Sequence, residues 1–142
     1  MNTKPTRNAS GCLDLTAFHA IRNADREIAG ANSKKYPSTY ICSPFRGDIE
    51  RNTANAVRYS RFALEQGRFP IAPHLFLPRF LDDADAAERA LALSFGIRLL
   101  CGCREVWVFG SDISSGMAAE IAEAKRRKIK VRYFNENCEE AC

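Results

Sequence analysis

The apolar positions of this chain switch repeatedly between two spacings, and each switch marks a change of element. Leu13, Ala17, Ile21, Ala24 and Ile28 recur at helical spacing and predict one helix over 13–28. The polar run ANSKKYPS follows and reads as a linker. A short β-branched and aromatic run at 39–42 predicts the first strand, and Arg46-Gly47-Asp48 leads into a helix carrying Ala56, Val57, Ala63 and Leu64. Gly67 stands where a left-handed cap would stop that helix. Residues 69–72 read as a second strand. The stretch LFLPRFLDD after Pro73-His74 is expected to be irregular, because of Pro78 and its paired aspartates. Asp85 or its neighbours start a third main helix that runs to Leu100. It is apolar nearly all round from Ala90 to Leu93, which predicts burial there. Gly102 ends it; 105–109 is the next strand, 115–128 the next helix and 130–134 the last strand.

Strands alternating with helices imply an α/β protein with a parallel sheet joined by right-handed crossovers. The expected organisation is an N-terminal helical appendage and linker over 1–38, one main domain over 39–134, and a polar tail over 135–142. His19 lies away from the apolar stripe of its helix and is expected to be solvated.

Composition changes this picture little. A 142-residue chain with 46% hydrophobic and 27% charged residues is long enough to bury roughly two thirds of its unfolded surface, so no staple is required. The net charge of +4 is mild and spread along the chain apart from KRRK at 125–128. That run suits a helix C-terminus, and nucleic acid is not an expected partner. MNTKPTRNASG has no apolar core and no run approaches a membrane span, so no signal peptide or membrane partner is expected and the cytoplasm is the expected location. Cys12, Cys42, Cys101, Cys103, Cys138 and Cys142 are then expected as thiols. They lack the paired spacing of a zinc site, and neither a metal nor a cofactor is expected.

Chemistry concentrates where the strands end. In a parallel sheet the stretches 43–48, 73–74 and 110–120 leave the same edge, the edge where open α/β folds bind ligands. In VWVFGSDISSGMAAEIAEA a strand breaks into a polar turn and restarts as a helix, presenting backbone N–H groups to an anion. Glu120 lies four residues after Gly116 and six after Ser114. Glu123 has Arg127 at i+4 and reads as a solvated pair, whereas Glu120 has Ala124 there and no basic partner on the helix.

Arg46, in a glycine-containing turn, could hold a phosphate in fork geometry, or could form a surface ion pair with Asp48 or Glu50. Ser114 and Ser115 could hold the other side of the same anion. His74 could donate to a substrate or cap its loop. Tyr40 is a core candidate whose hydroxyl needs a partner if buried. Asp112 could bind substrate or make only an Asx turn. A carboxylate beside a bound phosphate ester would suit attack on a sugar carbon, where it stabilises an oxocarbenium-like state. Burial would raise the Glu120 pKa, while the turn amides, the helix N-terminus and Arg46 would hold it down.

These residues carry a resemblance. YICSPFRGD at 40–48 and SSGMAAEIAEA at 114–124 resemble the two signature stretches of the nucleoside 2-deoxyribosyltransferase superfamily, which includes the 2'-deoxynucleoside 5'-monophosphate N-glycosidases. FRGD, APH and WVFG are similar to segments of an uncharacterised bacterial and phage branch of it. The resemblance spans about residues 39–134 and implies a Rossmann-like, flavodoxin-like three-layer fold. It implies Glu120 as nucleophile, Tyr40 beside it, and Arg46, Gly47 and Ser114 on a phosphate. Ser43, Asp48, His74, Asp112, Ser115 and Gly116, at the same converging turns, complete the expected substrate site. Pro44 replaces the turn serine of the family, with Ser43 adjoining it. The family's helix aspartate falls at Gly96 or Ile97.

The activity so implied is cleavage or transfer at the N-glycosidic bond of a small-molecule nucleotide or nucleoside. The alternative is a non-catalytic module that binds a nucleotide-derived ligand; a scaffold without a ligand fits the three converging turns least. The apolar third helix further predicts a homo-oligomer, most simply a C2 dimer.

Overall fold

The computed structural model describes residues 19, 20, 22, 23 and 36–141, and the chain divides into two compact units, Met1–Lys35 and Tyr36–Cys142. In the first, His19, Ala20, Arg22 and Asn23 are helical and exposed. The rest of the helix expected over 13–28, including Leu13, Ala17, Ile21, Ala24 and Ile28, lies outside the described residues, as do Cys12 and Cys142.

The second unit is built on four parallel strands, β1 (Ser38–Cys42), β2 (Phe69–Ile71), β3 (Glu105–Phe109) and β4 (Lys130–Phe134), in the order β2-β1-β3-β4. The two central strands are apolar over their C-terminal parts, as strands covered on both faces must be. Tyr40 to Cys42 and Val106 to Phe109 are all buried. Pro70 has no N–H to give a ladder, and it sits on the edge strand β2 opposite Thr39.

Three helices cover the sheet: α1 (Ile49–Glu65), α2 (Ala86–Cys101) and α3 (Ser115–Arg126). Because side chains alternate along a strand, Ile41, Trp107 and Phe109 pack with Tyr59 and Ala63 of α1. Tyr40, Cys42, Val106 and Val108 pack with Leu100 of α2 and Met117, Ile121 and Ala124 of α3. The result is a three-layer α/β fold. Side chains cap each helix start: Asp48 accepts from Arg51 N at 3.1 Å, Asp85 from Ala87 N and Glu88 N at 2.8 and 3.0 Å, and Ser114 from Met117 N at 3.2 Å. Each such cap is typically worth about 1 kcal/mol. Gly67, at φ +77, closes α1 with N–H bonds from Gly67 and Arg68 to the carbonyls of Leu64 and Ala63, the left-handed cap expected there.

Four local expectations need correction. The stretch after β2 contains two single 3₁₀ turns, Pro73–Leu75 and Leu77–Arg79, each with a proline in its first positions, where the fixed proline φ suits a helical start. The last helix stops at Arg126, short of Lys128, which takes φ 59. Ala90 to Leu93 are not buried in the core: Leu91 and Leu93 are 44% and 37% exposed. The buried positions of α2 are Gly96 and Leu100, so its C-terminal half packs on the sheet and its N-terminal half walls a cavity. Finally, the residues after β4 fold back on it, with a bridge between Phe134 and Glu140 and a two-point Arg132–Glu140 pair at 2.8 and 2.7 Å.

Among the described residues no helix is long and apolar enough to cross a membrane.

Candidate active site

The strand order reverses its direction of winding between β1 and β3, the point where open sheets of this kind leave a crevice. A cavity of about 460 Å³ lies there, bounded by the residues that leave β1 and β2, by α2, and by the start of α3. Its floor is a hydrogen-bonded pair. Tyr40, pointing from β1 to the α2–α3 side, donates from Oη to Oε1 of Glu120 at 2.8 Å. Glu120 is only 5% exposed, and its second oxygen, Oε2, is buried with no hydrogen-bond partner.

A buried carboxylate lacking one partner is costly in its charged form. Burial accordingly pushes the Glu120 carboxyl above its ordinary range, against the opposing pull of the Tyr40 hydroxyl and the Cys42 thiol. The turn amides, the helix N-terminus and Arg46, set against burial on the sequence, are not among the groups that act on Glu120. Glu120 is the sixth residue of α3, beyond the first turn where the helix dipole acts, and Arg46 is engaged elsewhere. Burial, then the Glu120 charge, raises the Tyr40 phenol far above its usual value. Cys42 is raised for the same two reasons.

Arg46 pairs through Nε with Asp83 Oδ2 at 3.1 Å, and not with Asp48 or Glu50; its side chain is 62% exposed at the cavity mouth. His74 lines the cavity and stacks on Phe45, centroids 5.1 Å apart. Burial lowers its pKa, opposed by a backbone hydrogen bond with Ser43 and the charge of Asp83, which favours the neutral ring. Ser114, Ser115 and Gly116 line the mouth opposite. Ser114 Oγ already accepts the Met117 N–H but keeps a proton to donate.

Four residues expected at the site do not line the cavity. Asp48 caps α1, and Gly47 takes φ +98 in the turn before it, a conformation that favours glycine. Ser43 is buried with its Oγ unpartnered, and Asp112 is exposed on its turn.

The cavity also takes residues that motif reading passed over. Leu77, Pro78 and Leu81 form one apolar wall, and Arg89, Leu93 and Gly96 of α2 another. Arg89, Leu93 and Gly96 fall at i, i+4 and i+7, one face of a helix, which is the only sequence signal that could have grouped them. Arg89 is half-buried and makes no ion pair among the described residues. Ile97, the other position offered for the family aspartate, does not line the cavity. Among the described residues no group of three or more His, Cys, Asp or Glu side chains could hold a metal ion.

The cavity therefore combines the desolvated carboxylate of Glu120, the guanidinium groups of Arg46 and Arg89, the carboxylates of Asp83 and Glu88, and apolar walls. This suits a ligand with a flat or apolar body and an anionic end. The fold is similar to that of a 2-deoxyribosyltransferase from the psychrotolerant bacterium Bacillus psychrosaccharolyticus, with a TM-score of 0.57 and 13% sequence identity over 69% of this chain and 72% of that one. At that identity the likeness is one of fold. Among curated proteins no relative matches the chain. A family model does match, over residues 37–134, a span that opens just before β1 and closes with the last residue of β4. The chain thus belongs to the family described as a domain of unknown function, DUF7768.

Proposed function

We propose that this protein cleaves or transfers at the N-glycosidic bond of a nucleotide or deoxynucleotide, with Glu120 as the nucleophile. One observation carries the reading: Glu120 is buried at the floor of the cavity with Oε1 held by Tyr40 and Oε2 left without a partner. An oxygen with unengaged lone pairs in a desolvated site is what nucleophilic attack on a sugar carbon requires. Oε2 forms a bond to C1' while the C1'–N bond breaks, its electron pair leaving with the base, which then takes up a proton. Water, or a second base, attacks C1' and releases the carboxylate. Arg46, Ser114 and Ser115 at the mouth bind a 5'-phosphate, and the Leu77–Pro78–Leu81 wall packs on the base.

The test is incubation with nucleoside monophosphates and with nucleosides, following free base by chromatography. Release by wild type that is lost in Glu120→Ala and Glu120→Gln supports the reading. Wild-type release retained by Glu120→Gln sinks the nucleophile assignment.

The raised Glu120 carboxyl and the lack of a carboxylate at Gly96 favour a second reading, a module that binds a nucleotide-derived ligand without turnover. Binding seen by calorimetry with no base released would select it.

Leu91 and Leu93 on α2 and Phe76 and Phe80 in the preceding segment are exposed, which supports assembly as a C2 dimer. Light scattering that gives a monomer at micromolar concentration removes that expectation.

A further inference from the structure

Gly96 sits inside α2, where glycine is among the poorest helix formers and nothing in the helix itself asks for it. The reason lies across the interface. A Cβ at this position would stand 2.9 Å from Tyr40 Oη and 3.5 Å from Glu120 Oε1. Real Cβ atoms essentially never come within 3.0 Å of another heavy atom, so Tyr40 must shift its hydroxyl to admit one. It is 1% exposed and packs in the cluster of Cys42, Leu100, Met117 and Ile121.

We propose that Gly96 is a positioning residue: its bare backbone leaves the one space in which Tyr40 Oη can rest on Glu120 Oε1, so that the hydroxyl is fixed on one oxygen and the other stays unengaged. The catalytic consequence rests on the function proposed above; the positioning itself does not.

The groups that could move the Glu120 titration are few. Tyr40 and Cys42 reach it from β1. Glu88 and Arg89 on α2, Arg46 after β1, His74 after β2 and Asp83 before α2 line the same cavity, and none of them is among the causes of the Glu120 shift. If Gly96 acts through Tyr40, then Gly96→Ala and Tyr40→Phe each remove the same opposing pull. Both should move the Glu120 midpoint to higher pH.

The experiment is a carbon-13 NMR titration of glutamate carboxyls in wild type, Gly96→Ala, Tyr40→Phe and the double variant, with the Glu120 signal assigned by its loss in Glu120→Gln. Urea denaturation of the same four proteins accompanies it. In the wild-type background Tyr40→Phe should lower stability, because it leaves Glu120 Oε1 without its donor. In the Gly96→Ala background the same change should raise stability, because it removes the atom that the new methyl group strikes. Upward midpoints in both single variants together with this reversal of sign support the proposal. An unchanged midpoint in Gly96→Ala, or an equal cost of Tyr40→Phe in both backgrounds, overturns it. If Gly96→Ala does not fold, the double variant should, and failure of both means that helix packing alone demands the glycine. Lack of base release by wild type sinks the proposed function and leaves these outcomes unchanged.

Discussion

The two faces of the sheet are made from alternate residues of the same two central strands, yet they are built for different ends. On the α1 side Ile41, Trp107 and Phe109 meet Tyr59, Phe62 and Phe134 in an aromatic cluster. The Tyr59–Phe109 rings lie 4.2 Å apart and nearly parallel, and Phe109–Phe134 and Trp107–Phe134 are 5.0 and 4.8 Å apart. The Arg132 and Arg68 guanidinium groups lie 4.8 and 5.5 Å from the Trp107 ring. On the other side one-residue steps give Tyr40 and Cys42, which share their layer with the carboxylate of Glu120. One face gains from burial; the other tolerates a charge with an unpaired oxygen. A single parallel sheet can therefore hold a costly site rigidly, because the opposite face of the same strands supplies the stability.

The largest effect that would break this comparison is on the aromatic face. Trp107→Ala should cost about 3–5 kcal/mol, the range for removing a buried aromatic, read as a fall in the urea midpoint at unchanged slope. A loss under about 1 kcal/mol would mean that the aromatic layer does not carry the sheet. The same substitution should leave the Tyr40–Glu120 bond in place wherever the protein remains folded, since Trp107 lies on the opposite face.

That division was only partly visible in the sequence. The strands were legible because 105–109 and 130–134 are short apolar or alternating runs between helical periods, and β3 and β4 have those bounds. The isolation of Glu120 was legible from its missing i+4 partner. What could not be read was which side of α2 faces what. From Ala90 to Leu93 its apolar residues surround the helix, so periodicity gives no direction, and both the exposure of Leu91 and the grouping of Arg89 with Gly96 depend on where the helix crosses the sheet. Asp48 stands directly before a helical period and could have been read as a cap; its place in an FRGD motif pointed elsewhere. The demand for glycine at 96 arises from an atom 56 positions away in sequence, at Tyr40, and no local pattern carries it.

On the site face the next largest effect concerns the mouth. Arg46→Ala should weaken a nucleoside monophosphate by about 1.5–3 kcal/mol, the range for hydrogen bonds to charged groups, and leave unphosphorylated nucleosides nearly unchanged. Equal losses for both, measured by calorimetry, would make Arg46 a structural residue. Because Arg46 is held through Nε by Asp83, that carboxylate competes with an arriving phosphate for the guanidinium charge. Asp83→Asn should then act in the opposite direction, tightening monophosphate binding by no more than the ~1 kcal/mol an exposed ion pair is worth. Weaker binding in Asp83→Asn would show that the pair shapes the mouth and does not compete for the ligand.

The smallest effect sharpens the comparison most, because it asks whether the site face is costly at all. Burial raises the Glu120 carboxyl above its ordinary value of 4.5, so the folded state holds this proton more tightly than the unfolded chain does. Between the unfolded and folded midpoints the native protein binds more protons, and stability falls as pH rises. The cost is absent below the ordinary carboxylate range and fully present above the folded midpoint. Glu120→Gln has no charge to desolvate. It keeps an acceptor for Tyr40 Oη, but it places an amide N–H where Oε2 lay, a penalty that does not depend on pH. The decisive quantity is therefore the change with pH in the difference of melting temperature between variant and wild type. From about pH 4 to about pH 8 the variant should gain on wild type, the gain developing across the Glu120 midpoint and levelling off above it. A difference that stays constant over that span would mean that the folded site does not disfavour the charged carboxylate, and the contrast between the two faces would then be one of packing alone.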